Sequence, residues 1–486
     1  MMSEKNTTAS PLSSQSPVSS LQPLAPQSAI PNPRSPIGLF SATMLIVGNT
    51  IGVGIFTTSG VVAAHLPSPG WILLAWILGG LLSLAGALVW AELGAAFPHA
   101  GGEYVYVREA CGPFWGFLCG WASFLASISG SIAVLAIALA NYLLAFLPAS
   151  VNGLVLWHVT LGDMVYSLSL NQVVGIGLMW LITSINYRGL QLGSFTQNIL
   201  SMSKLLAIGA LLVAGFSWGS GSWSNVMPLF PDLMPQGHLS ALGVALIPII
   251  FAYTGWNSVA YIAGEVRTPE TTLPRSALLG TMITMGVYLA LNLLYLYALP
   301  VAALKGVVQV GDAVANALFA GAGWVIAVLI AISIASALNV TVLTGGRIAF
   351  AMACDDVFFP RAANLHPRFQ VPGHALLLQA TWTSLLILSG TFEQLLTYTT
   401  VVIVGFSIVT TSGLFILRRQ RPTFPRPYHV WGYPWVPALY VVASVGLLLN
   451  ALWEQPVECF FGVLLCVAGV PAYRWWRNVD SVSGGA

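Results

Sequence analysis

Charged residues are scarce in this chain. Only 7% of the 486 residues are Asp, Glu, Lys or Arg, whereas 57% are hydrophobic. Soluble domains carry about 25% charged residues, so a soluble globular protein is excluded because it would lack a polar surface. The apolar runs are continuous rather than alternating, and many exceed the ~18 residues that mark a membrane helix. This pattern predicts an all-α polytopic membrane protein and excludes a β-barrel.

Motifs for metal, nucleotide and catalytic chemistry are also missing. The five cysteines have no CxxC spacing and the seven histidines show no HExxH pattern, so we predict no metal site, disulfide framework or cofactor. No phosphate-binding GxxxxGK loop occurs, which disfavours ATP-driven pumping. No serine–histidine or paired-aspartate set lies at span depth, which disfavours an intramembrane enzyme.

The first 35 residues lack the apolar segment of a signal peptide and are rich in Ser, Pro and Gln. Such a composition cannot bury enough apolar surface to fold. We therefore expect residues 1–35 to be a disordered cytoplasmic tail, and the first span to remain in the mature protein.

Twelve apolar segments are long enough to be membrane helices. They cover residues 38–66, 70–97, 113–147, 169–187, 194–217, 239–264, 274–300, 323–353, 374–391, 394–417, 434–452 and 456–475. With the N-terminus inside, Lys305 falls outside and Lys204 lies within span five, while every other Lys and Arg falls on the cytoplasmic side. By the positive-inside rule, we expect a multi-pass protein of the cell membrane with both termini cytoplasmic.

Two of these spans, the first and the sixth, are interrupted by glycines. Residues 48–56 read GNTIGVGIF and residues 251–257 read FAYTGWN. Unwound backbone in lipid leaves polar groups unpaired at several kcal/mol each, so it is tolerated only where those groups face a buried, hydrated site. A matched pair of interrupted spans in the two halves of a chain is a sequence pointer to a transporter's binding site.

The positions of the two interrupted spans predict an inverted repeat. Five spans separate their starts, and an odd number reverses direction, so the two breaks run antiparallel. We expect residues 36–217 to form a first five-helix repeat, residues 218–420 a second, inverted one, and residues 421–486 to hold helices 11 and 12 and a short tail. The two halves show no clear residue identity, so this expectation rests on topology.

Four motifs in matching order resemble the amino acid–polyamine–organocation superfamily. They are GNTIGVGIFTTSG at 48–60, AELGAAFPHAGGEY at 91–104, FAYTGWN at 251–257 with GEVRTPE at 264–270 and LPR at 273–275, and Arg347 after Asn339. The resemblance covers positions 38 to about 420 and is strongest to the L-type amino acid transporters and their bacterial relatives. It implies the leucine-transporter fold, a five-plus-five inverted repeat of helices.

The breaks predict a receptor for an amino acid zwitterion. A helix N-terminus carries about +0.5 charge and unpaired donors, which suit a carboxylate, and the carbonyls ending the first half-helices suit an ammonium. The predicted substrate-binding residues are Thr50, Ile51, Gly52, Val53, Gly54, Ile55, Phe251, Ala252, Tyr253, Gly255 and Asn257. The alternative for Gly52 and Gly54 is close helix–helix packing, for which small residues are common in membranes.

Three residues bear on the substrate and on coupling. Gly255 lies where the family has its side-chain pocket, and we expect it to leave room for a substrate side chain. Asn257 lies where arginine–agmatine antiporters carry an acid, so its neutral amide disfavours a cationic substrate. Lys204 lies about ten residues, or ~15 Å, into span five and resembles the lysine that replaces sodium in sodium-independent relatives. Three roles stay open for Lys204. Its ammonium replaces the sodium ion and bridges the spans, it takes up and releases a proton, or it is a static ammonium bonded to backbone carbonyls.

The leading hypothesis is a sodium-independent transporter of neutral amino acids that works by alternating access, with exchange and proton symport both open. The alternatives are a polyamine or cationic amino acid antiporter and, from another class, a non-transporting membrane sensor. Animal L-type transporters bond a heavy chain through a cysteine after span three. Residues 148–168 hold no cysteine, so we expect no disulfide-linked heavy chain.

Overall fold

The computed structural model describes residues 37–148, 154–161, 164–230, 238–307, 309–321, 323–389, 392–454 and 456–483. The expectation for the tail at 1–35 lies outside the described residues. Eighteen α-helices occur in the described part: α1 (Leu39–Thr50), α2 (Gly54–His65), α3 (Pro69–Ala96), α4 (Glu103–Cys111), α5 (Pro113–Ala122), α6 (Ser129–Leu144), α7 (Leu170–Tyr187), α8 (Leu190–Trp218), α9 (His238–Ala252), α10 (Pro269–Ala298), α11 (Val301–Leu304), α12 (Val310–Leu318), α13 (Gly323–Cys354), α14 (Gly373–Ser389), α15 (Phe392–Gln420), α16 (Trp435–Glu454), α17 (Pro456–Val467) and α18 (Gly469–Ser483).

The helices confirm a polytopic membrane protein. Within the described ranges, seven helical segments are long and apolar enough to cross a membrane, or eight if the bent pair α1 and α2 forms one span. One of the seven is continuous from α5 to α6 through a π-helical turn, Ser123–Ile128. Helices also occupy the positions of the other predicted spans, while the total of twelve crossings and the five-plus-five repeat stay predictions.

A β-hairpin follows α6, where the sequence analysis expected only a loop. Strand β1 (Val155–Leu161) pairs antiparallel with β2 (Met164–Ser169), with Leu161 opposite Met164. The sequence between these strands is Gly-Asp, a dipeptide that favours a two-residue hairpin turn between β-branched and aromatic runs. The all-α prediction is therefore wrong for this loop, because its short period-2 pattern was overlooked beside the long apolar spans.

Helix boundaries follow local signals in the sequence. Prolines stand at the first helical position of α3, α5 and α10, where a missing N–H costs nothing and the fixed φ suits a helix. Helix α7 begins with a capping box in which Ser169 and Gln172 each accept from the other's backbone N–H.

Helix α1 lies at the centre of the bundle. It packs against α8, α10 and α13, and most of its residues are buried. Helix α3 packs along α10 and α9, and α2 packs against α9. The two interrupted helices are thus held side by side within the bundle.

Buried ion pairs join the helices at the end of the bundle that carries most arginines, which we name the basic end. Glu265 receives two hydrogen bonds from the Arg347 guanidinium, at 2.9 and 3.2 Å, with both side chains almost fully buried. Glu92 likewise receives two from Arg418, at 2.9 and 2.7 Å, and one from the Val430 N–H at 2.6 Å. These two acids therefore join separate segments of the chain through arginine partners rather than lying free in solvent.

We expect Arg347→Gln to destabilise the protein strongly, because it leaves the Glu265 carboxylate buried without its charge partner. Breaking a buried pair in this way costs about 3–5 kcal/mol. Arg421→Gln is the matched control, because the Arg421–Glu109 pair is partly exposed and such pairs contribute about 0.2–1 kcal/mol. Unfolding of the purified protein in detergent measures both, and equal losses would contradict the expectation.

Candidate functional site

The first break separates α1 from α2 by three non-helical residues and bends the chain by 47°. Helix α1 ends at Thr50, and α2 begins at Gly54. The N–H of Phe56 donates to the Val53 carbonyl at 3.0 Å. Within the described chain, the N–H groups of Val53, Gly54 and Ile55 have no acceptor. The N-terminus of α2 therefore carries three backbone donors without an acceptor in the described residues, and their use in substrate binding stays a prediction.

The second break differs from the one that the sequence suggested. Helix α9 ends at Ala252, and the chain continues through a turn into two short 3₁₀ segments, Ser258–Tyr261 and Ala263–Glu265. The second half of span six is thus not an α-helix. Gly255 has φ +115° in this turn, a conformation that a side chain disfavours.

The two breaks touch each other at two glycines. A Cβ on Gly54 would lie 3.0 Å from Cα of Ala252, so α2 and α9 approach through the missing side chain. A Cβ on Gly255 would lie 2.9 Å from the carbonyl carbon of Asn49, whose side-chain amide donates to the Gly255 carbonyl at 3.2 Å. The missing side chain of Gly255 therefore allows close backbone contact, and its role in leaving room for a substrate side chain stays a prediction. Gly52, by contrast, faces open space, so the packing alternative holds for Gly54 and not for Gly52.

Tyr288 on α10 bridges the two breaks, a role that the sequence analysis missed. Its hydroxyl is 2.7 Å from the Thr50 carbonyl and 2.8 Å from the Ala252 carbonyl. The hydroxyl has one hydrogen, so it donates to one carbonyl at a time. The only signal in the sequence for this role is that Tyr288 lies in an apolar span, where its buried hydroxyl needs a hydrogen-bond partner.

Lys204 is fully buried and is bonded to three backbone carbonyls, two at the end of α1 and one on α13. Its Nζ donates to Gly48 at 2.9 Å, to Ile51 at 2.5 Å and to Ser333 at 3.3 Å. The ammonium on α8 thereby joins the end of α1 to α13. Because the Ile51 carbonyl already accepts from Lys204, it is a poorer ammonium acceptor than predicted.

A cavity of about 420 Å³ opens at the two breaks. It is lined by Thr50, Gly52, Val53, Gly54, Phe251, Ala252, Gly255 and Asn257 from the predicted set, and by Asn49, Ser83, Trp90, Glu103, Ser127, Thr254, Tyr261, Thr341, Thr344, Thr399, Ser407 and Tyr440 among others. The remaining predicted residues, Ile51, Ile55 and Tyr253, are buried beside it. The breaks are thus brought to one cavity.

Polar side chains of further helices also line the cavity. Ser127, in the π-helical turn between α5 and α6, is one of them, whereas the nearby Ser129 hydroxyl donates to the Phe124 carbonyl at 2.6 Å. Thr341 on α13 also lines the cavity, and its hydroxyl, which lies 2.8 Å from the Ala337 carbonyl and 3.3 Å from Oδ1 of Asn49, donates to one of the two at a time.

The fold and the cavity define a class, the multi-pass membrane transporters with discontinuous helices at the binding site. Residues 37–467 match the family described as amino acid permease. The chain belongs to this family, which consists of transporters rather than enzymes.

Several relatives are similar over nearly the whole chain. The serine/threonine exchanger SteT of Bacillus subtilis is 30% identical over 90% of this chain and 95% of its own length. The Asc-type amino acid transporter 1 of Mus musculus is 30% identical over 91% of this chain and 82% of its own. The human large neutral amino acids transporter small subunit 2 is 29% identical over 91% of this chain and 81% of its own length. The resemblance to L-type transporters and their bacterial relatives is thereby confirmed.

We expect Tyr288→Phe to lower the free energy of unfolding by about 1–3 kcal/mol, because buried carbonyls at the breaks lose their donor. Tyr295→Phe on the same helix is the matched control, since the buried Tyr295 hydroxyl has no hydrogen-bond partner among the residues that the structure describes. Thermal unfolding in detergent compares the two. An equal or larger loss for Tyr295→Phe would refute a bridging role of Tyr288.

Proposed function

We propose that this protein is a sodium-independent transporter that moves neutral amino acids across the cell membrane by alternating access. The observation that carries the proposal is the juxtaposition of free N–H donors at the start of α2 with carbonyls at the ends of α1 and α9, in one cavity. The names of relatives support amino acids as substrates and, for SteT, exchange as the transport mode.

Recognition of the zwitterion follows from backbone groups. The N–H groups of Val53, Gly54 and Ile55 bind the carboxylate, helped by the positive end of the α2 dipole. Because the Tyr288 hydroxyl donates to one carbonyl at a time, the other one, of Thr50 or Ala252, keeps a lone pair for the substrate ammonium. No charged side chain is needed for either contact.

The cavity wall supports a neutral substrate side chain. Asn257 and Thr254, which line the wall beside the second break, are uncharged. The second candidate, a polyamine or cationic amino acid antiporter, is favoured by one observation: Glu103 also lines the cavity. Both of its carboxylate contacts, however, are to protein hydroxyls, which leaves it poorly placed for a cation.

Lys204 supports independence from sodium. Its ammonium contacts carbonyls of α1 and α13, which are the type of ligand that a sodium ion prefers. A resident positive charge at this point repels a second cation. We further propose that the basic end faces the cytoplasm, that both termini lie there, and that no heavy chain is disulfide-linked.

The expected result in proteoliposomes is uptake of labelled serine, alanine or leucine that is unchanged when sodium is replaced by choline. Unlabelled internal amino acid should stimulate uptake if exchange is the mode, because the transporter then carries a substrate during both the inward and the outward transition. Protein-free liposomes are the control. No uptake under any condition, or uptake that requires sodium, would contradict the proposal, and stronger competition by arginine or putrescine than by leucine would favour the second candidate.

We expect Gly52→Ala to raise KM about tenfold or more while leaving unfolding unchanged within about 0.5 kcal/mol. The new Cβ enters open space in the cavity, where the missing side chain lets the substrate carboxylate approach the backbone. Gly209→Ala on α8 is the control, since a Cβ there also meets nothing within 4 Å but lies outside the cavity. Equal KM values for the two variants would refute carboxylate binding at this break.

A further inference from the structure

Glu103 is a buried carboxyl that contacts the substrate cavity. It is the first residue of α4, in the connection between the spans formed by α3 and by α5 to α6, and only 5% of its surface is exposed. Ser123, in the π-helical turn, donates from Oγ to Oε1 of Glu103 at 2.5 Å, and the Tyr261 side chain is hydrogen-bonded to the same carboxyl. Glu103 and Tyr261 both line the cavity.

Glu103 differs from the other buried acids of the described chain in its partners. Those acids are Glu92 and Glu265, and each receives two hydrogen bonds from an arginine. No ion pair to Glu103 occurs within the described ranges. An arginine holds a carboxyl in its ionised form, whereas the two hydroxyls at Glu103 do not.

The hydroxyl partners suit both protonation states. Serine and tyrosine hydroxyls each donate one hydrogen bond and also accept. They donate to the carboxylate when it is ionised, and a hydroxyl oxygen accepts from the carboxylic acid when it is protonated. The site therefore binds a proton without losing its hydrogen bonds.

The surroundings of Glu103 disfavour a buried negative charge. The titratable groups that face it are Cys119 on α5, Tyr261 after the second break and Tyr440 on α16; none of them is basic. On its own helix, Arg108 is bonded instead to Asp355 and Glu109. Burial raises the pKa of the Glu103 carboxyl to about 7.

A hydrogen-bond chain connects Glu103 to the second break. The Asn257 side-chain amide, which lines the cavity, donates to the Tyr261 hydroxyl at 3.3 Å, and Tyr261 is bonded to Glu103. A change in the charge of Glu103 alters which hydrogen bond the Tyr261 hydroxyl makes. The hydrogen bonding of Asn257, which lines the cavity beside the second break, thereby depends on whether Glu103 is protonated.

We propose that Glu103 is a proton-binding site of the transporter, which exchanges its proton with water when the cavity opens at the basic end and holds it while the cavity is closed. The step forms or breaks only the O–H bond of the carboxylic acid, and water in the open cavity supplies or takes the proton. The coupling to transport rests on the proposed function, while proton binding itself does not.

Transport by Glu103→Gln in proteoliposomes tests the coupling. With equal pH on both sides, the wild-type rate should fall about tenfold from pH 6 to pH 8, as the protonated fraction of a group titrating near 7 falls. Glu103→Gln carries a permanently neutral amide and should keep the pH 6 rate throughout. Glu109→Gln, on the same helix but in partly exposed ion pairs, is the control and should follow the wild type. A pH profile of Glu103→Gln that matches the wild type overturns the proposal.

Infrared difference spectroscopy between pH 6 and pH 8 tests proton binding without transport. On going from pH 6 to pH 8, the wild type and Glu109→Gln should lose the carbonyl band of a buried carboxylic acid. Glu103→Gln should lack that band at both pH values. A band that persists in Glu103→Gln overturns the proposal. If Glu103→Gln does not fold, Glu103→Asp takes its place. A Glu103→Asp carbonyl band with the same frequency and the same titration midpoint as in the wild type then overturns the proposal. Absence of transport in all variants, together with the expected spectra, would instead refute the proposed function.

Discussion

The end of α1 is the point on which the rest of the structure depends. An interrupted helix inside an apolar bundle exposes carbonyl groups that lipid cannot satisfy. The Lys204 ammonium takes those of Gly48 and Ile51, and the Tyr288 hydroxyl serves that of Thr50. Both donors come from other helices, so the break is held open by the packing of α8 and α10 around it. Two residues at the start of α2 whose backbone N–H groups remain free within the described chain, Val53 and Gly54, line the cavity.

Buried charge is stabilised in three different ways in this protein. The Lys204 ammonium is bonded to carbonyls, the acids at the basic end are paired with arginines, and Glu103 is bonded to hydroxyls. The lysine and the arginine-paired acids join neighbouring segments of the bundle. The carboxyl that is bonded to hydroxyls, which both donate and accept, lies instead at the cavity.

Much of the architecture was predictable because apolar length and glycine breaks are local properties. The predicted first span, 38–66, contains α1 and α2, and Thr50 to Gly54 proved to be the break. The hairpin after α6 and the 3₁₀ end of span six were not predicted, because their local patterns are short and their conformations depend on contacts with neighbours. Gly255 shows the same limit, since its positive φ and its contact with Asn49, which both explain the glycine, exist only in the folded chain.

By itself, the sequence determined that this is a helical membrane protein with two interrupted spans and one lysine deep in a span, because hydropathy, glycine and charge act through the chain's own backbone. Only the tertiary structure decided which groups meet at the breaks. Tyr288, Ser333 and Glu103 are distant from residues 48–56 in the chain, and their roles arise from distances of a few ångströms between helices. Such distances follow from the packing of whole helices, which no single segment encodes.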